Sequence, residues 1–281
     1  MEIKSFAKVN LYLDIIGKRP DGYHELVSLM CPIALHDTLA VSFDTHGIQV
    51  SCDHPDVPGG PENIAYTAAS RFFSAAAIPG AGVAITIRKT IPIGAGLGGG
   101  SSNAAAVLIG LNRHFGYPLS PETLLETGKA IGADVPFFIC GKPAVARGIG
   151  DILTPFSGLN PLPLVLVYPR HILSTRDVYK NFNLTLTKKE KIHTKNIFKL
   201  DWGTNIDRLL FNALEPAAFT LSPQIAEVKR KLLDSGAAGA LMSGSGSSVY
   251  GIYRDPETAE KAFSLLSRQR RWQVFCTRLL T

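Results

Sequence analysis

The chain has 281 residues, 46% hydrophobic and 19% charged, with 29 Lys and Arg against 23 Asp and Glu for a net charge of +6. That composition excludes a disordered or low-complexity chain and leaves room for one large domain or two modest ones. No apolar run reaches the ~18 residues of a membrane-spanning helix, and Glu2 with the polar stretch after it is no signal peptide, so a cytoplasmic protein with no membrane partner is expected.

In chain order, Ile3 to Ile16 alternates, with Ala7, Val9, Leu11, Leu13 and Ile15 on one side and Lys8, Asn10, Tyr12 and Asp14 on the other, which predicts a strand with one apolar face. Gly17 to Gly22 is turn chemistry, and Leu39 to Phe43, Ile48 to Cys52 and Val83 to Arg88 read as strands, with a helix over Pro61 to Ala77. From Ser101, apolar residues recur at Ala104, Val107, Leu108, Leu111 and Phe115, the spacing of a helix packed on one side, closed by Gly116 and Pro118. Ser120-Pro121, Ser222-Pro223 and Asp255-Pro256 each announce a further helix. Leu162 to Tyr168 and Ser248 to Tyr253 are β-rich. Without regular strand-helix alternation the fold class is α+β, and the cluster Pro155, Gly158, Pro161 and Pro163 suggests two domains, 1–155 and 156–281.

Cys31, Cys52, Cys140 and Cys276 form no C-x-x-C pair, and no two of the seven histidines share a metal-ligand spacing, so neither a disulfide framework nor a metal site is expected. Basic residues are scattered apart from Lys188 to Lys195, which reads as a solvated loop rather than a nucleic-acid patch, since no aromatic interleaving accompanies it.

The strongest local signal is Pro92-Ile-Gly-Ala-Gly-Leu-Gly-Gly-Gly-Ser-Ser-Asn103, with five glycines in seven residues between a strand and an amphipathic helix. Glycine lets the backbone approach a ligand and take positive φ, successive N–H groups then form an anion-binding nest, and the helix adds its positive end. This is a phosphate cradle, with Ser101, Ser102 and Asn103 offering side chains to phosphate or Mg²⁺. It is neither the G-x-x-x-x-G-K-[ST] loop nor a dinucleotide fingerprint. A second constellation pairs Lys8 and Asn10, on one face of the first strand, with Asp21-Gly22-Tyr23-His24. A third is Gly132-Ala133-Asp134-Val135-Pro136, in which Asp134 taken alone is more simply a helix cap or turn residue than a base. Leu241 to Val249 contains a second Gly/Ser loop, a tight turn on its own.

Together these segments, in this order, resemble the three motifs of the GHMP small-molecule kinases over nearly the whole chain. Ala7-Lys-Val-Asn-Leu11, Arg19 to Leu26 and Gly132 to Phe137 are similar to the branch acting on 4-diphosphocytidyl-2-C-methyl-D-erythritol in the non-mevalonate isoprenoid pathway. The resemblance implies a two-domain GHMP-kinase fold with its active site in the interdomain cleft, and transfer of the γ-phosphoryl of ATP to the 2-hydroxyl of that alcohol. It implies Asp134 as catalytic base and Lys8 as its charge partner. ATP would be bound by Pro92, Gly94, Gly96, Leu97, Gly98, Gly99, Gly100, Ser101 and Ser102, with the adenine near Asn63 and Lys89. Asn10, Tyr23, His24, Thr175, Tyr179, Gly244 and Ser245 would bind the alcohol, with Tyr23 and Tyr179 as stacking rings and Ser174 standing where the family has proline. No lysine follows the glycine loop and no clear glutamate matches the metal ligand of some relatives, so Mg²⁺ is expected to arrive with ATP. The alternatives are a GHMP enzyme for another alcohol and a silent nucleotide-binding scaffold. Retention of Lys8, Asp134 and the loop glycines argues against the second. The sequence leaves monomer and homodimer equally open.

Overall fold

The computed structural model describes residues 1–182 and 197–281, so the basic run Lys188 to Lys195 lies outside the described residues. Two compact units are present, and each is discontinuous: 1–7, 35–92 and 98–141 form the first, and 8–34, 93–97 and 142–281 the second. A single division after residue 155 is therefore not the one the packing makes.

In the first unit, β3 (Ile48–Cys52) runs parallel to β4 (Val83–Arg88), which pairs antiparallel with the later part of β2 (His24–Ser42) from Thr38↔Arg88 onward. Four helices belong to this unit: α1 (Ile64–Ala75), α2 (Gly99–His114), α3 (Pro121–Lys129) and α4 (Val135–Cys140). Burial of Ala65, Ala68, Ala69 and Phe72 on α1 and of Ala104, Ala105, Val107, Leu108 and Leu111 on α2 follows the apolar spacing of each helix. The helix expected over Pro61 to Ala77 is split, because Gly60–Glu62 forms a 3₁₀ turn and Asn63, in extended conformation, starts α1. Ser120 caps α3 as the sequence suggests, accepting from Thr123 N at 3.2 Å.

The second unit contains a four-stranded antiparallel sheet in the order β11 (Gln273–Arg278), β7 (Pro163–Tyr168), β10 (Val249–Ile252) and β9 (Gly239–Met242). Apolar faces of α7 (Glu215–Leu221), α8 (Pro223–Asp234) and α9 (Pro256–Leu266) join its core through Ala218, Val228, Leu232, Ala259 and Ala262. Asp255 caps α9, accepting from Thr258 N at 2.8 Å, whereas Ser222 makes no side-chain cap for α8. Also here are β5 (Ala144–Arg147), β6 (Ile152–Pro155), α5 (Thr175–Asn181), α6 (Trp202–Leu209) and β8 (Phe211–Asn212). The stretch of β1 (Glu2–Lys18) from Lys8 onward belongs to this unit and pairs in parallel with β8 at Tyr12↔Phe211 and Leu13↔Asn212.

One expectation is corrected by β1. Lys8 through Ile15 are buried without interruption, so the side carrying Lys8, Asn10 and Asp14 is not solvated. Burying polar groups is costly unless they are hydrogen-bonded, and Lys8 and Asn10 are: Lys8 donates to Asn10, and Asn10 to Ser28.

Candidate active site

The glycine loop leaves β4 and enters α2. Gly94, Gly96 and Gly98 have φ of 61°, 76° and 69°, the left-handed region that other residues rarely adopt. Gly98 precedes the first residue of α2 and brings no capping side chain, so the opening N–H groups of Gly99, Gly100 and Ser101 stay unmet by any cap. Unmet N–H groups carry the positive end of the helix dipole and suit a phosphate. Segment 93–97 is pinned within the second unit. Leu97, which is buried, accepts from Lys8 N at 3.0 Å, Ala95 O from Ser248 N at 3.2 Å, and Gly96 O from Ser243 Oγ at 2.9 Å.

Beneath the start of α2 lies a buried polar network within the first unit. The Asp37 carboxylate accepts from Lys89 Nζ, from Thr90 N and Ile91 N at 2.8 Å each, and from Asn103 Nδ2 at 2.9 Å. Asn103 also donates to Ser5 Oγ, which donates to Ser102 Oγ at 2.7 Å, and Ser102 donates to Phe6 O at 2.6 Å. Ser102 thus spends its hydroxyl inward, leaving half-buried Ser101 as the hydroxyl on the loop side. A β-carbon on Gly99 would stand 3.2 Å from Lys89 Nζ, so Lys89 lies under the phosphate loop. Asn63 caps α1, accepting from Ala65 N at 2.9 Å and donating to Pro58 O at 2.7 Å, so its side chain already serves the fold.

In the second unit, Lys8 is 5% exposed and donates from Nζ to Asn10 Oδ1 at 2.6 Å. Asn10 donates to Ser28 Oγ at 2.8 Å, Ser28 to Tyr12 O at 2.6 Å, and Tyr250 Oη to Asn10 O at 2.8 Å. Burial holds the Tyr250 phenol well above its ordinary range, so it stays a neutral donor. Gly244, with φ of 57°, lies against this group: a β-carbon there would stand 3.4 Å from Asn10 Oδ1 and 3.6 Å from Lys8 Nζ. Ser245 Oγ shares a 2.8 Å hydrogen bond with Thr175 Oγ1, so two residues expected at the alcohol meet directly.

Tyr23 is 63% exposed and open to stacking. The Tyr179 ring packs beside His24, with centroids 5.1 Å apart and planes tilted by 36°. Burial, and then the Lys18 charge, lowers the His24 pKa and favours a neutral imidazole able to read a hydrogen-bonding edge. Ser174, in the proline's place, caps α5 by accepting from Asp177 N at 3.3 Å.

Asp134 stands at the N-cap of α4 and its side chain makes no capping bond there, so of the two simpler readings the turn residue holds and the side-chain cap does not. It is half-buried, and a β-carbon on Gly132 would lie 4.0 Å from Ser101 Oγ, which sets the turn bearing Asp134 beside the first turn of α2. Among the described residues no group of three or more His, Cys, Asp or Glu could hold a metal. The half-buried Ser101 hydroxyl at the start of α2 is a donor of the kind Mg²⁺ would accept together with phosphate oxygens and water.

Sequence reasoning passed over Asp37, Asn212 and Glu215. Glu215 accepts from Met242 N at 3.0 Å and from Lys229 Nζ at 2.6 Å, which steadies the end of β9. For Asp37 the available signal was a carboxylate inside the apolar run Ile33 to Val41.

Residues 63–142 match the GHMP kinases N terminal domain and residues 195–269 the GHMP kinases C terminal domain. The chain is 44% identical over 281 residues to the 4-diphosphocytidyl-2-C-methyl-D-erythritol kinase of Geobacter sp. (strain M21), covering 100% of this chain and 99% of that one. It is 45% identical over 270 residues to the enzyme of the same name from Syntrophotalea carbinolica, covering 96% and 95%. A crystal structure of 4-(cytidine 5'-diphospho)-2C-methyl-D-erythritol kinase superposes with a TM-score of 0.86 at 37% identity, with 100% of both chains covered.

Proposed function

The chain belongs to the GHMP kinases, in the branch of the 4-diphosphocytidyl-2-C-methyl-D-erythritol kinases, and from that premise we propose that it phosphorylates the 2-hydroxyl of that alcohol with ATP, as a step of non-mevalonate isoprenoid precursor synthesis. Within the molecule, the observation that carries the reading is buried Lys8, held on Asn10 and faced by Gly244. A positive charge held in place in this way, out of water, suits an anionic reaction centre.

Phosphoryl transfer demands in-line positioning, neutralisation of the phosphate oxygens and acceptance of the hydroxyl proton. The N–H groups of Gly96 to Ser101 hold the β- and γ-phosphates. Mg²⁺, when bound, neutralises charge on their oxygens. Asp134 accepts the proton of the 2-hydroxyl as it attacks. Lys8 supplies a fixed positive charge that offsets negative charge in the transition state. For this to hold, residues 8 and 134 have to meet. Asn10 orients the alcohol, Tyr23 stacks on cytosine, and His24, backed by Tyr179, hydrogen-bonds the edge of the base. The reading calls for neither nucleic acid nor membrane.

The test is a coupled assay of purified protein with Mg-ATP and the alcohol, beside Asp134→Asn. Turnover lost in the variant supports substrate and base together. Equal turnover removes Asp134 from the role, and no turnover in the parent removes the substrate.

A further inference from the structure

Asn212 lies on β8, opposite Leu13 of β1, and Ala213 N donates to Leu13 O at 2.8 Å, so its backbone is tied to the strand that carries Lys8 and Asn10. Its side chain is 3% exposed. Nδ2 donates to Met242 O and to Gly244 O, each at 2.8 Å, and Oδ1 accepts from Leu214 N at 2.9 Å. Both amide hydrogens are thus committed to carbonyls two residues apart, one at the end of β9 and one in the turn that follows. An amide of this length is the side chain that can do this: aspartate offers no N–H, serine offers one donor, and glutamine is a methylene longer.

Bridging those carbonyls fixes the direction in which the chain leaves β9. Along that direction Ser243 Oγ reaches Gly96 O, Gly244 lies against Asn10 Oδ1 and Lys8 Nζ, and Ser245 reaches Thr175. We propose that Asn212 is a positioning residue of the kinase: by holding the carbonyls of Met242 and Gly244 it seats the Ser243–Ser248 turn on Lys8, Asn10 and the glycine loop. The inference rests on the function proposed above and names a determinant of that site which touches no substrate.

Asn212→Asp is isosteric and turns a two-hydrogen donor into oxygen facing two carbonyl oxygens. At about pH 8 kcat is expected to fall tenfold or more, the scale of leaving buried polar groups unmatched, while KM for ATP moves far less. As pH falls, the carboxyl protonates and regains one O–H donor, so the ratio of variant to parent kcat rises toward acid, which a merely structural asparagine would not produce. Asn212→Ser, which keeps one donor and adds no charge, is expected to lose less and to show no acid recovery, and it serves if the aspartate variant fails to fold. Hydrogen exchange is read in parallel at Ser243 N and Gly246 N, which bond to Ser248 O and Ser243 O in the parent. Faster exchange there in folded variants is expected. Parent-like kcat and exchange in either folded variant overturns the proposal. If the parent fails to phosphorylate the alcohol, the proposed function falls while exchange still decides for or against Asn212.

Discussion

Gly96 lies so close to Ser243 that a β-carbon on it would stand 2.2 Å from the Ser243 carbonyl oxygen and 2.9 Å from that of Gly246. With φ of 76° the position is also closed to side chains by its backbone. Gly96→Ala is therefore expected to lower stability by about 1–3 kcal/mol, the scale of overpacking, and to weaken ATP binding at least about tenfold as the two loops part. Gly100→Ala, where the new carbon meets Ile64 at 3.7 Å within a helix, should keep the parent melting temperature. Thermal melts and nucleotide titration check both. Equal melting of parent and Gly96→Ala would show that the loops have slack.

Asp134→Asn and Lys8→Met are each expected to cut kcat by about 10²- to 10⁴-fold, the usual contribution of a positioned proton acceptor and its charge partner. ATP affinity in Asp134→Asn should stay within about threefold, because the phosphate cradle is backbone. Single-turnover kinetics with equilibrium nucleotide binding separates the two effects.

His24 has a folded-state pKa below its ordinary 6.5, so its ring is neutral at neutral pH and gains a proton only as pH falls below that value. KM for the alcohol is expected to be flat from about pH 8 down to 6.5 and to climb under it, since an imidazolium offers no acceptor to the base. The contribution of neutral His24 to stability has the same sign, present above pH 6.5 and lost toward acid. His24→Gln should raise KM and flatten its pH dependence. A KM that climbs equally in that variant would assign the titration to another group.

Asp37 is fully buried and satisfies Lys89, Asn103 and two backbone N–H groups. Asp37→Ala leaves a buried ammonium and two amides unpaired, and is expected to cost about 3–5 kcal/mol in denaturant unfolding. A loss under about 1 kcal/mol would mean that water replaces the carboxylate.

What could be read from the sequence is what is local. Ser120-Pro121 and Asp255-Pro256 mark their helices because a cap needs only its own first turn, and the glycine loop is legible because its function is backbone geometry. Early β2 is buried without a break from Val27 to Ile33 and shows no alternation to read there. In α4, Val-Pro-Phe-Phe-Ile-Cys is poor helix sequence that packing overrides. Lys8 and Asn10 look like a wet strand face because the residues that cover them, Gly244 and Tyr250, come from the far end of the chain. Asn212 is invisible for the same reason, since its worth lies in two carbonyls thirty and thirty-two positions away.

The polypeptide passes between its two units five times, at Ala7/Lys8, Ala34/Leu35, Pro92/Ile93, Leu97/Gly98 and Gly141/Lys142. On the ribosome this imposes a timetable. Residues 8–34 are synthesised early, yet Ser28 to Met30 await β5, and Tyr12 and Leu13 await β8. A nascent chain stalled before Asn212 therefore leaves one edge of β1 open at Tyr12 and Leu13, the kind of strand edge that chaperones shield and that aggregates when they do not.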